Sequence, residues 1–207
     1  GEPRKACAMP NLAAYPVAPG ETTPRQNPVT GPAGLVIERR PLAACAAIEA
    51  EWRDLAIRAI EPNPFCDPDF VLPAAQHLVD FRDAPVLLLW GGTAASRRLL
   101  GFVPGRLRRR LLGHDELIGW DNPRLGLASP LIDTDQAERV LAALLRPTGR
   151  WGLANMQNLL LPRIDLDGPL LRNLMMVAEQ TGHVAAIEPA AGPPSTLGGP
   201  DLAALHH

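Results

Sequence analysis

Cysteine is scarce: Cys7, Cys45 and Cys66 are an odd and scattered set. They cannot build a disulfide framework and fit a reducing compartment. Lysine is almost missing, with Lys5 the single example, so nearly all positive charge is arginine. Clean apolar runs such as Val86 to Trp90 fall far short of the roughly 20 residues that a membrane helix needs. No apolar stretch follows Arg4 and Lys5, which argues against a signal peptide. The net charge of −2 gives no general attraction to nucleic acid or anionic lipid. These absences together predict a cytoplasmic chain with no membrane insertion and no nucleic-acid partner.

Familiar site chemistry is lacking as well. His77, His114 and His183 stand far apart, and no H-x3-H or C-x2-C spacing occurs, so no metal site is expected. Ser96, Ser129 and Ser195 sit in no G-x-S-x-G context, which removes the usual hydrolase elbow. There is no P-loop, and no G-x-G-x-x-G follows a strand. Cys66 could be a reactive thiol, but no neighbouring histidine can be named to activate it. Asp165 and Asp167 could pair as carboxylates, although capping a helix already explains Asp167.

What is abundant is apolar and structural. Hydrophobic residues make up 46% of 207 positions, enough for one globular domain. The 23 prolines crowd the ends. Residues 1–34 hold seven of them without periodicity, so this arm is expected to be disordered. Residues 189–207 are expected to form a flexible tail, and residues 35–188 the folded domain. Gly1 is an unusual start and His206 and His207 an abrupt end, so a piece of a longer chain is expected.

Inside the domain the pattern alternates between strand and helix periods. Leu35–Arg39 reads as a strand. From Pro41 to Ile60, Leu42, Cys45, Ile48, Trp52, Leu55 and Ala59 form one helical face. Pro68–Val79 reads as a helix kinked at Pro73. Ala84–Trp90 and Arg98–Val103 read as paired strands around Gly91-Gly92, followed by short strands at Glu116–Trp120 and Arg124–Ala128. Asp133 and Gln136 open a helix through Leu145 with a capping-box pattern, and Trp151–Leu161 holds a strand. Asp167 is expected to cap a helix with the stripe Leu170, Leu171, Leu174, Met175 and Ala178, closed by Gly182. His183–Glu188 reads as a last strand. The fold class is therefore α/β: a mixed sheet with an antiparallel centre, flanked by about four helices and with disordered termini.

One charged run remains, Arg106-Leu107-Arg108-Arg109-Arg110. It could hold phosphate, a polyanionic glycan or RNA. No aromatics are interleaved with it, so a solvated turn or an interdomain salt-bridge surface is the simpler reading.

The most specific local pattern is Trp52-Arg53-Asp54-Leu55 followed after five residues by Glu61-Pro62-Asn63-Pro64-Phe65. A helix ends there in a rigid loop, because each proline lacks an N–H and disfavours helical geometry before it. Further pieces follow in order: Pro73-Ala74-Ala75 with His77-Leu78, Val86 to Trp90, Leu99 to Pro104, Gly119-Trp120, Ser129 to Asp133, and Asp167 to Leu170. This order, from about Leu35 to Ile187, resembles the N-terminal half of the CelD/BcsL-type acyltransferases of the GNAT superfamily, bacterial proteins linked to cellulose and exopolysaccharide biosynthesis.

The resemblance implies a GNAT-like sheet and a reaction in which an acceptor amine or hydroxyl attacks an acyl-CoA thioester. In such enzymes the CoA pyrophosphate rests on a glycine-rich loop, Q/R-x-x-G-x-G/A, that opens a helix. The equivalent helix here follows Pro130-Leu131-Ile132-Asp133-Thr134-Asp135, which has no glycine and two carboxylates. No cofactor is therefore expected in this chain; acetyl-CoA or another acyl-CoA would be held by a second, C-terminal GNAT half. That half and a small-molecule or glycan acceptor are the implied partners. Asn63, Phe65 and Trp120 are the candidate acceptor-binding residues, and no catalytic residue can be assigned. The alternative is a non-catalytic, degenerate GNAT module that docks a partner.

Overall fold

The run Val86-Leu87-Leu88-Leu89-Trp90 is apolar at every position, as a strand buried on both faces requires. In the computed structural model it lies inside the sheet. The structure describes residues 29–30, 34–93, 96–108, 115–122, 125–145 and 156–187. The expected arm up to residue 28 and the tail from residue 189 lie outside the described residues, as do His114 and Trp151.

Seven strands make one sheet: β1 (Val29–Thr30), β2 (Val36–Pro41), β3 (Pro85–Gly91), β4 (Arg98–Arg108), β5 (Asp115–Gly119), β6 (Leu131–Ile132) and β7 (Met156–Leu160). The order across it is β1-β2-β3-β4-β5-β7, with β6 also on β4. Every pairing is antiparallel except β5 with β7, which is parallel. Parallel strands need a crossover, supplied here by α4 (Ala137–Leu145). The α/β class and its mixed sheet with an antiparallel centre are as the sequence pattern predicts. Val29–Thr30, from within the arm expected to be disordered, pairs with Val36–Ile37.

Alternation along β3 builds two cores. Val86, Leu88 and Trp90 face α1 (Glu49–Arg58), α2 (Pro68–His77) and α3 (Val79–Arg82), joining Trp52, Leu55, Val71 and Phe81. Leu87 and Leu89 face α4 and α5 (Pro169–Thr181), joining Val140, Leu144, Leu170 and Val177. Trp52 is fully buried, its ring stacked on Phe102 with centroids 4.2 Å apart. Its Nε1–H donates to the Cys66 carbonyl at 2.9 Å.

Several local expectations change. The helix predicted from Pro41 begins as 3-10 turns over Leu42–Ile48 before α1 starts. Pro41 offers no side-chain cap, and a tighter turn is a common way to begin without one. Pro73 lies inside α2, which runs on to His77. Arg124–Ala128 is no strand over its described residues: Leu125 N–H turns back to the Asn122 carbonyl, and Ala128 N–H donates to Arg163. Prolines at 123 and 130 and Gly126 interrupt any ladder there. His183–Ile187 is not a strand either; Val184 is 98% exposed. Val-Ala-Ala-Ile gives a sheet face too little apolar surface to fix a register.

Asp167 does not cap α5. The N-cap is Gly168, and Asp167 instead donates its N–H to Asp165 Oδ1 in a tight turn. Gly182 does end α5, in the left-handed conformation with φ 75°, which favours glycine. Met175, expected on the buried stripe, is 39% exposed, and Val177 takes the inner position.

Trp52→Ala should lower stability by about 3–5 kcal/mol, the usual cost of a large aromatic-to-small change in a core. Urea denaturation checks this, and an unchanged midpoint would mean that the Trp52–Phe102 stack does not hold α1 to the sheet.

Candidate functional site

Ligands in open α/β sheets bind beyond the carboxyl ends of parallel strands, and anions bind at helix N-termini through unpaired N–H groups and the helix dipole. Two such places exist here, the starts of α4 and α5. Both are occupied by carboxylates of the chain itself.

At α4 the occupant is Asp133, which caps the 3-10 turn Thr134–Gln136 that leads into the helix. It follows β6 directly and is 1% exposed. Its Oδ1 accepts the backbone N–H groups of Asp135 at 3.0 Å and Gln136 at 3.1 Å. Its Oδ2 forms an ion pair with Arg58, and Arg98 Nη2 lies 3.9 Å away. The Arg58 guanidinium also bonds Asp54 Oδ2 at 2.7 Å and the Leu99 carbonyl at 3.1 Å. That bonding holds the Asp54 carboxyl below the usual carboxylate range. Backbone ties complete the junction: Asp133 N–H to Leu100 O, and Ile60 N–H to Ile132 O. The expected capping box is thus half present. Asp133 caps, while Gln136 Oε1 accepts from Arg139.

At α5 the occupant is Glu61, also buried. Its Oε2 accepts the Leu170 N–H at 3.4 Å, and its Oε1 accepts the Ser129 hydroxyl at 2.8 Å. Gly168 has to be glycine for this contact, because a Cβ there would overlap Oε2. A carboxylate from a distant loop therefore does the capping that Asp167 was expected to do.

Between these two helix starts runs the segment 120–130. Strands β5 and β6 both follow β4, with Gly105 opposite Gly119 and Phe102 opposite Leu131, so they are one strand line interrupted by this excursion. It is pinned at Ala128 N–H to Arg163 O and at Arg163 Nη1 to Leu125 O, and Arg163 also pairs with Asp121.

The three candidate acceptor-binding residues all border this excursion. Asn63 is buried, with Nδ2 donating to Ser129 O at 2.7 Å and to Cys66 Sγ at 3.5 Å, while Oδ1 accepts Phe65 N–H at 3.0 Å. Phe65 packs edge-on against Phe70 and lies against Gly126, where a side chain would collide with the ring. Trp120 packs edge-on against Phe81 with centroids 4.7 Å apart. Asn63 and Phe65 share one loop that packs against the excursion, and Trp120 stands at its start against Phe81.

The other candidates separate. Burial pushes the Cys66 thiol up to about 12, the opposite of an activated nucleophile. Ser129 is fully buried. His77 is exposed on α2, and His183 Nδ1 meets the Thr181 hydroxyl. Arg108 pairs with Glu116 and Arg106 is exposed on β4, while Arg109 and Arg110 lie outside the described residues. No cluster of three metal-ligating side chains occurs among the described residues, and no helix there is long and apolar enough to cross a membrane. An open depression of about 360 Å³ beside the start of α4 is lined by Asp135, Gln136, Glu138, Arg139 and Ala142.

A pyrophosphate would meet engaged donors at the 3-10 turn Thr134–Gln136 that leads into α4. The Asp135 and Gln136 N–H groups that would hold it already bond Asp133, and Asp135 and Glu138 add negative charge beside them. Sequence reading found Asp133 and the missing glycines. It missed Glu61, Ser129 and Arg58 as partners, since no local signal ties residues separated by 68 or more positions.

Asp133→Ala should cost about 2–4 kcal/mol, because it removes a helix cap and the buried one of the two carboxylates that Arg58 bonds. Asp54→Ala, at the exposed side of the same arginine, should cost under about 1 kcal/mol. Equal losses in denaturant unfolding would contradict this division. No family model matches the chain, and no curated protein and no solved structure matches it either.

Proposed function

We propose that this chain is the non-CoA-binding N-terminal half of a double-GNAT acyltransferase. The complete enzyme would transfer an acyl group from acyl-CoA to an amine or hydroxyl acceptor, in cellulose or exopolysaccharide biosynthesis. Its partner would be a C-terminal GNAT half of the same protein, which would hold acetyl-CoA or another acyl-CoA. The motif order carries the family reading. The observation that carries the division of labour is Asp133, seated in the α4 N-terminus where such enzymes hold pyrophosphate. Strand order supports it too: antiparallel strands lead to a parallel β5–β7 pair across α4. Fold likeness is weak support for activity, so the motifs and the helix cap bear the weight.

A second reading is favoured by Asn63, Phe65 and Trp120, whose surfaces are consumed by packing. On that reading the chain is a non-catalytic GNAT-like module that docks a partner in polysaccharide assembly.

Calorimetric titration with acetyl-CoA separates the two. Heat of binding from a longer chain carrying the second half, and none from this chain, is the result expected of the acyltransferase. Binding by this chain alone would overturn the proposal. Silence from both would favour the docking module.

A further inference from the structure

Helix α5 carries its charges the wrong way round. Arg172 lies near its N-terminus and Glu179 near its C-terminus, with no acidic residue in the first turn and no basic residue in the last. Each charge opposes the helix dipole. Both side chains are exposed, and neither has an oppositely charged partner among the described residues; the Arg172 guanidinium reaches the Asp167 backbone carbonyl. Between them, on the same outer face, stand Met175 and Met176, 39% and 41% exposed. The face reads Arg-x-x-Met-Met-x-x-Glu.

This pattern is symmetric about the midpoint between the two methionines, and its ends are of opposite sign. We infer that α5 docks against α5 of a second copy of this chain in an antiparallel, two-fold arrangement. A two-fold contact must be self-complementary. With its axis between Met175 and Met176, Met175 meets the second copy's Met176 and Arg172 meets its Glu179, twice over. The antiparallel partner also sets each charge beside the favourable end of a neighbouring dipole. The flanks agree: Leu166 before the helix is 58% exposed and Val184 after it 98%, and the same axis brings these apolar ends together. Methionine's flexibility suits such a contact. One helix pair about 20 Å long makes a small interface, so the dimer should be a weak, reversible one. This inference is independent of the acyltransferase reading.

Analytical ultracentrifugation over a concentration series tests it. The mass should rise from the 22.2 kDa of one chain toward twice that value. Met176→Lys should weaken dimerisation by more than about tenfold, and so should Arg172→Glu or Glu179→Arg alone, each of which sets like charges opposite one another at two places. Thermal melting at dilutions where the unaltered chain is monomeric should show no loss of stability in these surface variants, which separates lost docking from lost folding. The decisive arm mixes the Arg172→Glu and Glu179→Arg chains: opposite charges then face each other at both places, and the mixed dimer should recover. A single-chain mass at every concentration would overturn the proposal. So would a dimer indifferent to these changes, or a mixture as weak as its components.

Discussion

The contact on which the rest of the structure depends is the buried pair of Arg58 and Asp133. Arg58 ends α1, and Asp133 joins β6 to α4, so one ion pair links the helices of opposite sheet faces through the end of β4. Such a pair adds little net stability against a well-packed apolar alternative, but losing one partner is expensive. Its value is therefore geometric. The antiparallel bridge between Ala59 and Asp133 and the Ile60–Ile132 hydrogen bond fix the height at which α1 stops. From that point the Glu61–Cys66 loop is delivered to the start of α5.

That delivery gives the proline-flanked loop its role. Pro62 and Pro64 restrict the backbone around Asn63, so Glu61, Asn63 and Cys66 can all reach the Ser129 region together. The excursion 120–130 is then held from both sides, by this loop and by Arg163. In an α/β sheet this crevice is the usual place for a ligand. Here protein side chains satisfy both helix starts.

Much of the fold was legible because its signals are local. The apolar run of β3, the Trp52 stripe, Pro and Gly punctuation and the Gly182 terminator each act within a few residues. The paired strands at Ala84–Trp90 and Arg98–Val103 followed from these, while the order across the sheet did not. Trp52 was placed in the core by periodicity, yet its hydrogen bond to Cys66 was not foreseeable, because that contact depends on where the loop returns. Asp167 shows how local rules mislead: an Asp two residues before Pro169 looks like a cap, but Glu61 arrives from over 100 positions away. Met175 fits the helical stripe within the error of one position, and only packing decides that Val177 points inward instead. Of the candidate site, the loop and its aromatics were legible but their partners were not: Asn63 bonds Ser129, Phe65 lies on Gly126 and Trp120 packs on Phe81, all set by chain segments distant in sequence.

Asp133 should keep phosphate from the amides that open α4, and NMR titration of the folded chain with inorganic pyrophosphate checks this at the backbone amides of Asp135 and Gln136. Both resonances should stay in place at ligand excess. Saturable shifts at these two amides would contradict this, and would mean that the Asp133 carboxylate yields its hydrogen bonds to an incoming anion.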